Sequence, residues 1–340
     1  MHWIDAMRGF TMFLVVFYHF QQFGLGMLNP LETVLGNVFV SFRMPAFFFI
    51  SGLVAYKSLD FWTGSNWMKR MSTKARVELI PTVVFFVMLA LVQGDHLASL
   101  FLTKGFNLYW FTFVLFEMFC IYYTVSLLYN KLNLRHFTAG MIALAAISMA
   151  ANLLLKGSEQ NIVEILALRK LTNFLPFFLL GALCKRHSEK FFQWLENDWL
   201  VTMATIVFVA SLFITYYAYF GPYQTHPVVQ VLRNYIVRYC GLFAVVALFY
   251  NNRKFFEGDS RIKKTMCLVG RRTLDIYMLH FFLISDISCI YPDALKGNII
   301  YELVITTAFS AVIIAVCLGI SGFLRNSKLL GYLLFGAKHK

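Results

Sequence analysis

Residues 10–28 read FTMFLVVFYHFQQFGLGML, an apolar run long enough to cross a lipid bilayer as a helix. His19 lies in the middle of this run, and Arg8 precedes it by eleven residues. Because an α-helix turns about 100° per residue, this spacing returns both side chains to nearly the same face, roughly 16 Å apart along the axis. An ionisable group at membrane depth is costly, so the pattern favours a functional polar track in the first span.

Composition extends the membrane assignment to the whole chain. Its 340 residues are 59% hydrophobic and only 14% charged, whereas soluble domains carry about 25% charged residues. The net charge of +13 is concentrated in a few loops, which indicates membrane topology, and no nucleic-acid partner is expected. The first span lacks a small-residue cleavage site, so we expect it to remain in the chain.

Ten apolar runs predict an all-α, polytopic bundle of about ten transmembrane helices. Only helices or closed barrels satisfy the backbone in lipid, and these runs are too long for barrel strands. The third and sixth runs are short and are expected to tilt or to be extended by neighbouring residues. No repeat or linker divides the chain, so residues 1–340 are predicted to form a single transmembrane domain. The expected spans are 7–27, 35–57, 79–94, 108–129, 137–155, 171–184, 199–220, 232–250, 271–290 and 299–324.

The lysine and arginine residues are unevenly shared between the predicted loops. Most of the 30 lie in the loops that alternate with the N-terminus on one side of the membrane. Because Lys and Arg accumulate on the cytoplasmic side, both termini are predicted to be cytoplasmic.

Three residues of the first span form the first candidate site. Asp5 and Arg8 are three residues apart and can pair on one helix face. Taken singly, Arg8 can be a topology anchor and His19 a hydrogen-bonding contact between helices. Taken together, they favour chemistry, because a neutral imidazole can accept a proton from a hydroxyl near neutral pH.

Arg43 lies inside the second span, two residues before Pro45, which loosens the helix. A buried arginine needs a carboxylate, a carbonyl or a bound anion, so an ion pair and an anion site both remain open. Glu117 in the fourth span and Asp286 in the ninth are candidate partners of Arg43 or Arg238.

A basic segment before the third span is the next candidate. It either sets membrane orientation alone or docks the phosphates of an anionic donor at the cytoplasmic face. Its candidate residues are Lys69, Arg70, Lys74 and Arg76.

The ninth span begins GRRTLDIYMLHFF and places His280 about 12 Å beyond Arg272 by helical rise. His280 is either a packing residue or a second functional histidine. The six cysteines form no CxxC pair, and the GxSxG, Walker and HExxH motifs are absent. We therefore expect no metal site and no ATPase or common serine-hydrolase chemistry.

These residues lie in blocks that resemble the integral-membrane enzymes of acyltransferase family 3. The specific feature is the ordered set, with an arginine and a histidine separated by ten residues in the first block. The blocks run from position 4 to position 280 and read IDAMRGFTMFLVVFYH, RMPAFFFISG, the Lys/Arg-rich segment before LIP, YWFTFVLFE, LPFFLLG and GRRTLDIYMLH.

The resemblance implies a ten-helix core in the bacterial cytoplasmic (inner) membrane. Such a core would move an acyl group, usually acetyl, from cytoplasmic acyl-CoA to a hydroxyl of a lipid-linked sugar or envelope glycan. It also implies that Arg8 and His19 form the essential pair of the family. Two motifs differ from the family pattern: Thr73 replaces the first arginine of the Arg-x-x-Arg motif that ends at Arg76, and Glu117 follows its tryptophan by seven residues instead of five.

The hypothesis is O-acyl transfer with acyl-CoA as co-substrate and no tightly bound cofactor. His19 would act as general base or transient acyl acceptor, with Arg8 orienting it or stabilising donor charge. Arg43 would stabilise the developing oxyanion, and the basic segment would hold the CoA phosphates. The expected partners are acyl-CoA, a glycan or lipid-linked sugar, and membrane lipids. The alternative function is a transporter or flippase for a polar or lipid-linked solute. The sequence does not show the repeated halves that many carriers have. A different acyl donor, such as succinyl-CoA, also remains open.

Overall fold

Every regular element that the computed structural model describes is helical, which confirms the all-α class. The described residues are 2–27, 34–94, 96–155, 157–158, 160–220, 227–291, 295 and 297–337. Their α-helices are α1 (His2–His19), α2 (Val34–Ala55), α3 (Gly64–Lys74), α4 (Ile80–Gln93), α5 (Leu97–Lys104), α6 (Trp110–Lys131), α7 (Phe137–Leu154), α8 (Asn161–Ile165), α9 (Leu168–Arg186), α10 (Ser188–Glu196), α11 (Asp198–Phe220), α12 (Pro227–Asn251), α13 (Arg261–Arg271), α14 (Thr273–Leu283), α15 (Ile299–Leu324) and α16 (Lys328–Phe335). Two π-helical turns, Phe20–Gly24 and Ala75–Leu79, interrupt this pattern.

Several of these helices can cross a membrane, so the multi-pass character of the chain is confirmed. Among the described residues, six helices are long and apolar enough to do so. A bent pair, α10 and Asp198–Ile214, meets at 75° and gives a seventh span if it counts as one. The number ten and the cytoplasmic placement of both termini stay predictions. Within the described residues, the six helices that are long and apolar enough are Val38–Ala55, Gly64–Val92, Trp110–Lys131, Phe137–Leu154, Leu232–Asn251 and Ile299–Leu324.

The third span is longer than its apolar run because the basic segment before it is also helical. The Thr63 side chain caps the start of α3 by accepting the backbone N–H of Asn66 at 3.3 Å. The helix continues through the Ala75–Leu79 turn into α4, and Gly94 ends it with a φ of 73°. The predicted extension by neighbouring residues is therefore present, giving a continuous Gly64–Val92 segment of 29 residues.

The ninth span, predicted over 271–290, is wrong in its limits. Its helix, α14, has only 11 residues, and α13 occupies the end of the expected loop before it. Beyond α14, the backbone N–H of Ser288 donates to Oδ1 of Asp286 at 2.9 Å. This bond holds the pKa of the exposed Asp286 carboxyl below its ordinary value. The helix has already ended at Leu283, because Ile284 takes an extended conformation with φ −81° and ψ 106°. The bond at Asp286 stabilises the non-helical segment that follows.

The chain forms two compact units, and the candidate residues are divided between them. Unit 1 comprises Met1–Phe47 and Glu189–Ser321, and unit 2 comprises Phe48–Ser188 and Gly322–Lys340. The single transmembrane domain over 1–340 stays a prediction.

In unit 1, α1 crosses α13 at two glycines. A Cβ atom on Gly9 would overlap the carbonyl oxygen of Met266, and one on Gly270 would overlap that of Asp5. Small residues allow this backbone approach, which replaces the hydrophobic driving force that is missing between helices in lipid. The crossing fixes the helix that carries His19.

In unit 2, α2 and α9 approach in the same way. A Cβ atom on Gly52 would overlap the carbonyl oxygen of Phe178, and one on Gly181 would overlap that of Phe49. Also in unit 2, Gly336 ends α16 with a φ of 58° and lies against the Ala75–Leu79 turn. Helix α16 therefore supports the turn that carries Arg76.

Candidate active site

His19 is the last residue of α1 and is followed at once by the Phe20–Gly24 π-turn. Its side chain is half-buried, between the buried residues Phe17 and Phe20. The carbonyl oxygen of Gly24 accepts the backbone N–H of Ile287 at 2.8 Å, which ties the turn to the segment after α14. Isolated π-turns are frequent at functional sites. This π-turn changes the course of the chain directly after His19, the candidate base.

His19 is hydrogen-bonded to His280. Its Nδ1 lies 2.8 Å from Nε2 of His280, and the two rings have nearly parallel planes, inclined by 13°, with centroids 5.0 Å apart. His280 is completely buried on α14. Its Nδ1 lies 3.1 Å from the carbonyl oxygen of Ile276, one helical turn earlier. The structure thus joins two histidines that are 261 residues apart in sequence.

Arg43 lies beside this pair and has hydrogen-bond donors that no described residue uses. Its guanidinium carbon is 3.7 Å from the centre of the Tyr18 ring, and its charge interacts electrostatically with His19. The buried Nε and Nη1 atoms of Arg43 have no hydrogen-bond partner in the described part of the chain. No ion pair with a described carboxylate forms at Arg43 either. Two N–H groups are therefore available to a negatively charged oxygen.

Arg8 and Asp5 form the expected pair at the other end of α1. The Nη1 atom of Arg8 lies 4.0 Å from Oδ1 of Asp5, and both side chains are partly exposed. Since α1 is continuous from His2 to His19, helical rise separates Arg8 from His19 by about 16 Å. The structure therefore brings His19, His280 and Arg43 together but keeps Arg8 and Asp5 apart from them.

The basic segment lies in unit 2, and its four residues differ in their surroundings. Lys74 is paired with Glu78 at 3.3 Å and lies 3.5 Å from the centre of the Phe119 ring. Arg76 has a buried Nε without a hydrogen-bond partner among the described residues. Arg70 lies over the Phe61 ring at 5.3 Å, and Lys69 is exposed. Arg76 is therefore the residue of this segment with an unused buried donor.

The two carboxylates predicted as arginine partners belong to different units, Asp286 to unit 1 and Glu117 to unit 2. Asp286 is exposed in the segment after α14, where it binds the backbone of Ser288. Glu117 belongs to unit 2, and its buried Oε2 has no hydrogen-bond partner within the described ranges.

Sequence reasoning misses three buried polar side chains in unit 1. Gln21, Thr306 and Ser310 are completely buried. The side-chain oxygens of all three and the Gln21 amide nitrogen lack a hydrogen-bond partner among the residues described. The available signal is weak: a glutamine inside an apolar run, and two hydroxyls four residues apart on α15. Gln21 lies two positions beyond His19, inside the π-turn.

Unit 1 also holds an apolar cavity of about 270 Å³ between α1, α13 and α15, lined in part by Gly9, Phe13 and Met266. It lies along α1 near Arg8 and does not include His19. Across the described ranges, no group of three or more His, Cys, Asp or Glu residues is placed to bind a metal ion.

The fold and the site define a multi-pass membrane protein with a hydrogen-bonded histidine pair and an arginine that keeps unused hydrogen-bond donors. The model of acyltransferase family 3, described as an acyltransferase domain, matches residues 1–323 of the 340. The chain belongs to this family and is a membrane O-acyltransferase. No curated protein and no solved structure is significantly similar to it.

Proposed function

We propose that the protein transfers an acyl group, acetyl in the first place, from acyl-CoA to a hydroxyl of an envelope glycan or lipid-linked sugar. We place this reaction at the bacterial cytoplasmic membrane. Membership of the family supports acyl transfer in general. The observation that supports the proposed donor and acceptor is the hydrogen bond between Nδ1 of His19 and Nε2 of His280. Because this bond uses Nδ1 of His19, the second ring nitrogen, Nε2, is left for the reacting groups.

In the proposed reaction, Nε2 of His19 accepts the proton of the acceptor hydroxyl. The hydroxyl oxygen attacks the thioester carbonyl carbon, so a C–O bond forms and the C–S bond breaks. The CoA thiolate leaves and takes the proton from His19, which restores the neutral imidazole. No proton or electron is gained or lost overall, and general-base assistance of this kind is typically worth about 10²- to 10⁴-fold in rate.

A covalent route uses the same atoms in a different order. Nε2 of His19 attacks the thioester carbon, the CoA thiolate leaves, and an acyl-imidazole forms. The acceptor hydroxyl then attacks the acyl carbon of this intermediate, so its C–O bond forms as the C–N bond to His19 breaks. The hydroxyl proton passes to the CoA thiolate, and the neutral imidazole is regenerated. The two routes are separated by mixing the protein with labelled acyl-CoA alone, because only the covalent route leaves label on the peptide that contains His19.

Arg43 is proposed to stabilise the oxyanion of the tetrahedral intermediate. Both routes place negative charge on the former carbonyl oxygen. The unpaired Nε and Nη1 groups of Arg43 are suitable donors for that oxygen. Arg8, about 16 Å from His19 by helical rise, is proposed to stabilise charge on the donor; at this distance it does not orient the imidazole by contact.

The phosphates of CoA are assigned to the basic segment, with Arg76 as the main ligand and Lys69, Arg70 and Lys74 as supporting charges. The buried, unpartnered Nε of Arg76 supports this ranking. Lys74 ranks lower because Glu78 already compensates its charge. Guanidinium groups bind phosphate oxygens in a bidentate manner, which an ammonium group cannot do.

The direct test uses membranes that contain the protein, labelled acetyl-CoA and candidate glycans. Transfer of label to a glycan hydroxyl is expected, with loss of transfer in His19→Ala and normal transfer in His187→Ala. His187 is a matched control because its side chain is exposed and its Nε2 atom lies 3.0 Å from Oγ1 of Thr138, in unit 2. Unchanged transfer by His19→Ala would remove His19 from the reaction.

The donor and the rival class are tested in the same preparation. Competition between acetyl-CoA and succinyl-CoA identifies the preferred acyl group. Solute flux into proteoliposomes without acyl-CoA, together with no acylated product, would favour a transporter or flippase, since buried ionisable residues also occur in such proteins.

A further inference from the structure

We propose that His280 is a positioning residue that fixes the tautomer of His19, so that Nδ1 of His19 carries the hydrogen and Nε2 carries the free electron pair. This inference deepens the proposed function and rests on it for its catalytic meaning. Its structural content follows from hydrogen-bond polarity alone.

The chain of hydrogen bonds begins at a backbone carbonyl. The oxygen of Ile276 can only accept, and it lies 3.1 Å from Nδ1 of His280. Nδ1 of His280 must therefore carry a hydrogen. In a neutral imidazole, one nitrogen donates and the other accepts, so Nε2 of His280 is an acceptor.

The polarity passes on to His19. Nδ1 of His19 lies 2.8 Å from the acceptor Nε2 of His280, and two acceptors cannot bond to each other. Nδ1 of His19 must therefore donate, which leaves Nε2 of His19 without a hydrogen. That nitrogen has the electron pair that either proposed route requires.

The opposite polarity would need a doubly protonated His280 that donates to His19. Such a cation would be completely buried and close to the unpaired cation of Arg43, which interacts with His19 itself. Neither histidine has an ion pair with a carboxylate in the ranges described. An uncompensated buried charge is costly, so the neutral arrangement is favoured.

The control of the His19 tautomer by His280 is analogous to the control of the imidazole tautomer in a catalytic triad, but different groups provide it. In the triad, a carboxylate holds the imidazole in one tautomer, and loss of that control is very damaging even when the geometry is kept. Here a backbone carbonyl sets the tautomer of His280, and His280 sets that of His19. When Nε2 of His19 takes a proton, its Nδ1 hydrogen can move onto Nε2 of His280, so two rings share the positive charge.

The primary test is nitrogen-15 NMR of the full-length protein with labelled histidine in lipid nanodiscs, without any acyl donor. The chain contains eight histidines, and a His19→Gln difference spectrum assigns the signals of His19. A protonated Nδ1 and an unprotonated Nε2 are expected. The opposite tautomer at His19 would overturn the inference, whether or not the protein transfers acyl groups.

Two substitutions then test the role of His280. His280→Gln keeps an acceptor oxygen near the position of Nε2, so it should preserve the His19 tautomer and keep kcat within about tenfold. His280→Leu removes the acceptor and should abolish the tautomer preference, lower kcat by about 10²-fold or more and leave KM for the donor nearly unchanged. His187→Leu, an exposed histidine, should change neither the tautomer nor kcat.

Equal kcat in wild type and His280→Leu would overturn the positioning role. If His280→Leu fails to fold, the wild-type spectrum and His280→Gln still decide the question. A confirmed Nδ1–H tautomer in a protein that transfers no acyl group would leave the inference standing and refute the proposed function.

Discussion

The guanidinium of Arg43 lies face-on over the ring of Tyr18, with its central carbon 3.7 Å from the ring centroid. The aromatic face supplies electrostatic compensation of about 2 kcal/mol for a desolvated cation. It does not occupy Nε or Nη1, which stay without partners among the described residues. Arg43 is thus held as a cation while its donors remain free for a ligand.

The first prediction follows from this geometry. Arg43→Lys keeps the positive charge but removes the planar pair of donors, so kcat should fall by about 10²- to 10³-fold, the usual effect of losing an oxyanion donor. Steady-state kinetics with acetyl-CoA measures the effect. Arg238→Lys, at a second arginine inside a helix of unit 1, should stay within about threefold of wild type. Full activity of Arg43→Met would contradict the oxyanion role.

A second prediction concerns the donor site. Arg76→Gln removes a buried, unpartnered donor, and a hydrogen bond to a charged group is worth about 1.5–3 kcal/mol. KM for acyl-CoA should therefore rise about 10- to 100-fold, since 1.4 kcal/mol corresponds to a factor of ten, while kcat changes little. Arg135→Gln, at an exposed arginine in the same unit, is the control. A fall in kcat at unchanged KM would show that Arg76 does not serve donor binding.

The α1–α13 crossing gives a third prediction. Gly270→Val places a side chain against the backbone carbonyl of Asp5, which cannot rotate away as a flexible side chain would. Overpacking of this kind costs about 1–3 kcal/mol, so the unfolding temperature in detergent should fall clearly. Gly319→Val is the matched substitution because nothing lies within 4 Å of its new Cβ atom. A melting temperature that Gly270→Val leaves unchanged would mean that the helices do not cross this closely.

Gln21 supports a fourth prediction. Its amide is completely buried, and neither polar atom has a partner in the described ranges. An unsatisfied buried polar group costs about 1–3 kcal/mol, so Gln21→Leu should raise the unfolding temperature. Gln22→Leu, at the half-buried neighbour, should raise it less. A lower melting temperature in Gln21→Leu would show that the amide is hydrogen-bonded in the membrane.

The long apolar helices were predictable because their signal is continuous and local. The tenth expected span, 299–324, coincides with α15. Helix α13 could not be predicted from the sequence because its charged residues, including Lys263 and Lys264, resemble those of a cytoplasmic loop. Its packing on Gly9 of α1 shows that it belongs to the bundle. The early end of α14 at Leu283 lies inside the apolar run of the ninth expected span, so no hydropathy pattern records it.

The site was predictable as a set of residues but not as an arrangement. The sequence identifies three candidate site residues because a polar residue in an apolar run is costly: His19, Arg43 and His280. Their meeting could not be foreseen, since helix pairing depends on packing between segments hundreds of residues apart. The orphaned Gln21 could not be foreseen either, because its burial follows from a π-turn, and a one-residue change in helical hydrogen bonding leaves no clear sequence pattern.

The π-turn at Phe20–Gly24 has a mechanical consequence for the imidazole just before it. His19 ends the regular part of α1, and α1 is held by the tight crossing at Gly9 and Gly270. The turn itself is tied at the Gly24 carbonyl oxygen to the backbone N–H of Ile287, beyond α14. The imidazole therefore lies between two backbone anchors within unit 1, one on each side of it along the chain, so a change at either anchor is expected to move it.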